Sequence, residues 1–210
     1  MTTYNKIETL YNRDIEGTKK LIEGDFRNET MKFLKDLTWQ FTEKIDGTNI
    51  RIMWDGHKIT YGGRTDNANI PAHLMNKLIE LFGDDKTEQL FEQVFGEKEA
   101  ILFGEGYGAK IQAVGGSYRS DVSFILFDVM INGNYQSRGM VEDSAKLINL
   151  EIVPIIFEGT LEKGVEYVKT KPMSTIGKAP MEGLVARPKV ELQDRCGNRM
   201  IVKIKTRDFT

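Results

Sequence analysis

The sequence predicts an α+β fold of antiparallel sheets flanked by helices. Three observations carry this. Apolar β-branched and aromatic runs come in clusters and do not alternate regularly with helical stretches, which disfavours a doubly wound sheet. Asp55-Gly56 separates two such runs, a strong hairpin signal. Val122–Ile131 is too apolar to be other than a central strand, although Asp128 interrupts it. With 210 residues the chain can bury one good core, so a single domain over 1–210 is expected. A helical lead-in over 1–37 would precede the main body, 38–210.

The elements follow in order. Asp14–Leu37 reads as helical with a break near Gly24; Leu21, Met31, Phe33 and Leu34 supply an apolar face of imperfect period. Thr38–Lys44 and Thr48–Trp54 read as strands, and His57–Tyr61 returns after the hairpin. Pro71 opens a helix whose apolar face is Leu74, Leu78, Ile79 and Phe82. Lys86–Phe95 is a second helix, with Leu90, Phe91, Val94 and Phe95 inward. Ala100–Phe103 and Val122–Ile131 are strands, and Asn132-Gly133 ends the latter. Helices return over Val141–Asn149 and Thr160–Lys169. Glu151–Phe157, Gly183–Arg187 and Arg199–Thr206 form a strand-rich tail. Gly164–Pro180 is the loosest stretch and is expected to be a mobile loop.

Composition excludes several classes. The formal net charge is −2, with 40 % apolar and 29 % charged residues, so the chain is neither disordered nor collagen-like. No apolar run reaches the roughly 18 residues a membrane helix needs. The start, MTTYNKIETL, lacks the basic and apolar parts of a secretion signal. Cys196 is the single cysteine, so no internal disulfide can form and a cytoplasmic, reducing setting is expected. With only His57 and His73 besides, a Cys/His zinc site is excluded. Charge is uneven: seven acids face two bases over Glu80–Ala100, and nine bases face four acids over Lys171–Thr210. The basic segment fits either an ordinary solvated face or a polyanion site.

Five segments could carry chemistry. In Glu43-Lys44-Ile45-Asp46-Gly47-Thr48-Asn49, extended chain puts Lys44 and Asp46 on one side. That pair is either a surface ion pair or an amine nucleophile beside an acid that can hold a metal's water shell. Phe103-Gly104-Glu105-Gly106-Tyr107-Gly108 leaves Glu105 as the only ionised side chain of a glycine-rich turn. It is no phosphate loop, for the chain has no GxxxxGK[ST]. Phe124-Ile125-Leu126-Phe127-Asp128 gives aromatics that are either core or a base-stacking platform, and an acid that needs a partner. The fourth is Met181-Glu182-Gly183-Leu184-Val185-Ala186-Arg187. In the fifth, Ile201–Arg207, alternation places Lys203, Lys205 and Arg207 on one face. Those three are either an edge strand's protection or a phosphate-binding face.

Together, and in this order, the five segments resemble the motifs of covalent nucleotidyltransferases, the polynucleotide ligases and mRNA capping enzymes. The likeness is greatest to ATP-dependent RNA ligases of the RNA ligase 2 type, and it runs from Glu43 to Arg207. It implies a nucleotidyltransferase (adenylyltransferase) domain of the ATP-grasp-like ligase type; in a departure from DNA ligases and capping enzymes, no C-terminal OB domain is expected after Lys205. The resemblance further implies that Lys44 attacks the α-phosphate of ATP and carries AMP covalently. Asp46 matches the acid of the same motif. Gly47, Thr48 and Asn49 match the RNA-ligase variant, since DNA ligases and capping enzymes usually carry arginine at Asn49. Arg64, in Gly62-Gly63-Arg64-Thr65, resembles an arginine that contacts phosphate and strand ends. Glu105 matches the acid that reads the ribose, Phe127 the aromatic that stacks on adenine, Glu182 the acid near the metal. Lys203 and Lys205 match the pair that holds the α-phosphate, and Glu43 joins the nucleotide-binding set.

The implied reaction joins a 3′-hydroxyl to a 5′-phosphate RNA end through adenylylated protein and adenylylated RNA. A free lysine ammonium costs about 4.6 kcal/mol to deprotonate at pH 7. Lys203, Lys205 and a bound Mg²⁺ or Mn²⁺ would favour the neutral amine, whereas Asp46, Glu105 and Glu182 alone would oppose it. These acids are therefore expected to hold a hydrated metal, and adenylylation to need it. Five residues follow Lys205, so a further nucleic-acid-binding domain is not expected, and an accessory protein is a candidate to replace it. A phage genome is one candidate source. The alternatives are a minimal DNA ligase or guanylyltransferase, or a ligase-derived module that only binds nucleotide or RNA.

Overall fold

Strand alternation and a few side-chain caps set the elements. The computed structural model describes residues 3–209; Met1, Thr2 and Thr210, at the ends of the expected 1–210 domain, lie outside them. In chain order the strands and helices are β1 Glu8–Thr9, β2 Tyr11–Arg13, β3 Leu21–Phe26, α1 Glu29–Phe33, β4 Trp39–Lys44, β5 Thr48–Trp54 and β6 Ile59–Gly63. Then come α2 Ala72–Phe82, α3 Asp85–Phe95, β7 Ala100–Gly108, α4 Gly115–Tyr118, β8 Val122–Ile131 and β9 Asn134–Tyr135. α5 Arg138–Ile148, β10 Ile155–Gly159, α6 Leu161–Lys169, β11 Gly183–Pro188 and β12 Val202–Lys205 complete the set, with a 3₁₀ turn at Thr206–Phe209. The chain divides into two compact units: 3–5 with Asp46–Val153, and Lys6–Ile45 with 154–209.

The first unit is an antiparallel sheet in the order β6-β5-β7-β8-β9. Ile50, Ile52 and Trp54 of β5 and Phe124, Leu126 and Val129 of β8 point into one core with Leu74, Leu78 and Phe82 of α2, Phe91 of α3 and Val141 of α5. The glycine-rich segment is not a turn. It continues β7 to Gly108, and Gly104 is required because a Cβ there would meet the Phe124 ring at 2.2 Å. A β-bulge falls at Phe127, between the pairs Gly104–Leu126 and Phe103–Asp128. Strict alternation from Phe124 and Leu126 would drive Asp128 into the apolar core; the extra residue turns it to the other face. There the fully buried Asp128 accepts a hydrogen bond from the Tyr4 hydroxyl at 2.9 Å.

The second unit is a mixed sheet in the order β1-β12-β11-β4-β10, with β1 parallel to β12 and the other pairs antiparallel. Trp39 and Phe41 of β4, Leu184 of β11 and Val202 and Ile204 of β12 form one apolar face, packed with Leu161, Val165 and Val168 of α6. The opposite parity carries Thr42, Lys44, Val185, Lys203 and Lys205. β12 is internal, so the edge-strand reading of its lysines does not hold.

The expected helix over Asp14–Leu37 is not formed. The Asp14 carboxylate instead accepts from the Gly17 and Thr18 N–H groups and closes a turn. Gly24, at φ +86°, lies within β3, which pairs with β2. Only Glu29–Phe33 is helical, started by Asn28, whose side chain accepts from Thr30 N–H. Phe33, expected on an apolar face, is 86 % exposed. The stretch Gly164–Pro180 is not loose. It begins inside α6, and its remainder is tied by Ser174 N–H to Ala179 O, Met181 N–H to Pro172 O and Thr175 to Glu43. The strand expected at Glu151–Phe157 begins only at Ile155. Arg207 lies beyond β12 in the 3₁₀ turn, so it does not continue the lysine face.

Candidate active site

In the second unit the sequence-predicted residues Lys44, Glu182, Lys203 and Lys205 come together. Register places Lys44 and Lys205 on either side of Gly183, in one row across β4, β11 and β12. The residue before that glycine bridges them. Glu182 Oε2 accepts from Lys44 Nζ at 2.7 Å, and Glu182 Oε1 accepts from Lys205 Nζ at 2.8 Å. All three side chains are largely shielded, at 24 %, 15 % and 16 % exposure for Lys44, Glu182 and Lys205. The Thr206 N–H donates to the Glu182 carbonyl at 2.9 Å and ties the end of β12 to the same residue. Lys203 stands two residues before Lys205. Burial, then the charges of Lys205 and Lys44, push its ammonium pKa below the usual lysine range. Three cations and one carboxylate leave a local positive excess, the sign a phosphate group requires.

Glu43 does not join them. It has the parity of Trp39 and Phe41, is 1 % exposed, and accepts through Oε2 from Thr175 N–H at 2.9 Å and Thr175 Oγ1 at 2.6 Å. Its Oε1 is buried without a hydrogen-bond partner. Its side chain therefore secures the 174–176 loop on the face away from Lys44.

In the first unit Asn49 and Glu105 are direct cross-strand partners on β5 and β7. They lie on the face opposite the apolar core, together with Arg51, Phe103 and Asp128. Asn49 Oδ1 is buried and without a hydrogen-bond partner. The backbone that follows Lys44 is held at two points: Asp46 N–H donates to the Tyr118 hydroxyl at 3.4 Å, and Gln112 Nε2 donates to the Gly47 carbonyl at 2.9 Å. Phe127 is half-buried at the bulge and meets the Tyr4 ring edge-on at 5.0 Å. Arg64 is exposed in the turn after β6.

The motif order and the lysine–glutamate–lysine row coincide with a family match. The RNA ligase family model matches residues 37–205, most of the chain. The chain belongs to the RNA ligase family. Its fold is that of solved Naegleria gruberi RNA ligase structures. A Lys-to-Ala mutant with ATP and Mn superposes with TM-score 0.66 at 18 % identity, over 97 % of this chain and 61 % of that one. The same enzyme with PPi gives 0.66 at 18 %, over 98 % and 62 %. A second Lys-to-Ala mutant with ATP and Mn gives 0.66 at 19 %, over 97 % and 62 %. The chain thus spans about three-fifths of the length of these enzymes. Among curated proteins none matches. Among the described residues no helix is long and apolar enough to cross a membrane.

The resemblance assigns a hydrated metal to Asp46, Glu105 and Glu182. Among the described residues no three His, Cys, Asp or Glu side chains gather as a metal cage. Both oxygens of Glu182 are engaged by lysines, so a metal would meet it through water, as expected of a hydrated ion. Asp46 and Glu105 are hard carboxylate donors, which suit a hydrated divalent cation completed by waters and nucleotide phosphates. Four residues have contacts that no sequence motif marks: Tyr4 on Asp128, Arg51 on Gly63 and Asp66, and Thr175 on Glu43. The parity of β5 could have marked Arg51, a charge two residues beyond Asn49 in an otherwise apolar run from Ile50 to Trp54. Tyr4, Asp66 and Thr175 act through contacts remote in sequence or in loops and leave no periodic signal.

Proposed function

We propose that this chain is the nucleotidyltransferase portion of an ATP-dependent RNA ligase, with Lys44 as the nucleophile. The observation that carries the reading is the Glu182 carboxylate bridging Lys44 and Lys205 within the family-matched span. Glu182 holds the Lys44 amine in place, and its charge is divided between two ammoniums, so neither is paired with a full carboxylate. Lys203 and Lys205 add positive potential that neutralises the α-phosphate as charge develops. The neutral Lys44 nitrogen forms the P–N bond to the α-phosphorus, the α–β phosphoanhydride bond breaks with its electron pair leaving on pyrophosphate, and the amine proton passes to solvent. Glu105 and Asn49 receive the ribose, and Phe127 stacks on adenine. Asp46 and Glu105 would hold Mg²⁺ or Mn²⁺, which when bound screens the phosphate charges.

AMP then passes from Lys44 to a 5′-phosphate RNA end, and a 3′-hydroxyl displaces it to form the phosphodiester. The metal-bound and nucleotide-bound states of the Naegleria enzyme support nucleotide and divalent-metal use here. A nick-sealing assay with RNA and DNA duplexes, run beside a pre-adenylylated RNA strand, tests the reading. Wild type should seal RNA from ATP. Lys44→Ala should seal only the pre-adenylylated strand. Equal sealing of both strands by Lys44→Ala would reject Lys44 as nucleophile, and DNA-only sealing would reject the RNA assignment.

A further inference from the structure

A buried guanidinium holds the exposed turn that carries Arg64. Arg51 shares the sheet face of Asn49, and its side chain is only 1 % exposed. Its Nε donates to the Gly63 carbonyl at 2.7 Å and its Nη2 donates to Asp66 Oδ1 at 2.8 Å. These anchors fall one residue before Arg64 and two residues after it. Ala68 N–H closes the turn on the Thr65 carbonyl at 3.1 Å. Gly62 is the cross-strand partner of Arg51, and a Cβ on it would lie 2.9 Å from Arg51 Nη2. A glycine there therefore lets the guanidinium lie over the strand and reach both anchors. A planar fork of donors fixes two acceptors in one geometry, which a lysine could not do.

The pairing also sets the local charge. Asp66 stands two residues from Arg64 and is the nearest acid along the chain. Its carboxylate is held below the usual carboxylate range, chiefly by the Arg51 hydrogen bond. With that charge occupied by Arg51, Arg64 has no ion-pair partner among the described residues. The turn thus presents one uncommitted cation on a backbone fixed at both ends.

We infer that Arg51 and Asp66 are positioning residues which set this turn so that Arg64 engages a phosphate of the RNA substrate. The inference rests on the RNA-ligase reading above. It is tested by sealing kinetics on nicked RNA for wild type, Asp66→Ala, Asp66→Asn, Arg64→Ala and the double variant Arg64→Ala/Asp66→Ala. Hydrogen exchange over residues 63–68 is followed in parallel. Asp66 is half-exposed, so its loss should leave folding intact. Asp66→Ala should raise KM for nicked RNA about tenfold with kcat little changed, a loss equivalent to about 1.4 kcal/mol. Asp66→Asn, which keeps an acceptor for Arg51, should recover most of it. The double variant should be no worse than Arg64→Ala alone. Exchange over 63–68 should rise in Asp66→Ala.

Wild-type KM in Asp66→Ala, or losses that multiply in the double variant, would overturn the inference. If wild type forms no lysyl-adenylate, the ligase reading itself fails. The exchange data then decide the brace alone, and unchanged protection over 63–68 in Asp66→Ala would overturn it.

Discussion

Lys44 and Lys205 flank Gly183 in one row across three strands, and the carboxylate of Glu182 bridges their amines at 2.7 and 2.8 Å. The row follows from register and parity. Lys44 is the last residue of β4 and Lys205 the last of β12, and β11 runs antiparallel to both from Gly183. One acid then serves two amines that lie far apart in sequence.

Removing that acid should injure both stability and chemistry. Glu182→Ala leaves the two shielded amines of Lys44 and Lys205 without their shared anion. The expected cost is about 2 kcal/mol in urea unfolding, smaller in high salt. Adenylylation should fall at least about a hundredfold, roughly 2.7 kcal/mol of barrier. Glu182→Gln should recover stability more than activity, because the amide keeps an acceptor but not the charge.

Lys203 offers a pH test. Its folded-state pKa is lowered, so its charged form is disfavoured in the folded protein. At neutral pH both folded and unfolded states hold the proton, and the penalty is fully present. As pH rises through the lowered pKa toward the ordinary lysine value of 10.5, the unfolded chain binds more protons, and this contribution to stability improves. Lys203→Met should therefore raise Tm at pH 7 and flatten the rise on the alkaline side. A lower Tm for Lys203→Met at pH 7 would contradict this.

Tyr4 and Asp128 test the bulge. Tyr4→Phe keeps the ring contacts with Phe103 and Phe127 and removes one hydrogen bond to a buried acid. It should cost about 1–3 kcal/mol by urea denaturation. Asp128→Leu in the Tyr4→Phe background should cost less than in wild type if the two groups stabilise each other.

Much of this was legible from residues alone. β8 is bounded as its apolar run predicts, and alternation in β12 correctly sets Lys203 and Lys205 opposite Val202 and Ile204. The order of the motifs identified the family. What was not legible depends on contacts remote in sequence. The Phe127 bulge inverts the parity of β8 at a point that no local propensity marks. Residues 14–37 have helix-compatible composition, yet the Asp14 turn and pairing with β2 divert them into a hairpin. Glu43 adjoins Lys44 in the motif, yet neighbours in a strand face opposite ways, and its side chain holds Thr175 instead.

The most direct measurement is the intact mass of the purified protein, cleared of any bound adenylate, after incubation with ATP and Mn²⁺ or Mg²⁺. Parallel samples carry GTP, excess chelator or the Lys44→Ala substitution. A gain of one AMP in wild type with ATP and metal, absent in the other three, is the expected result. The same gain in Lys44→Ala, or no gain in folded wild-type protein, would contradict the assignment of Lys44 as a covalently adenylylated nucleophile.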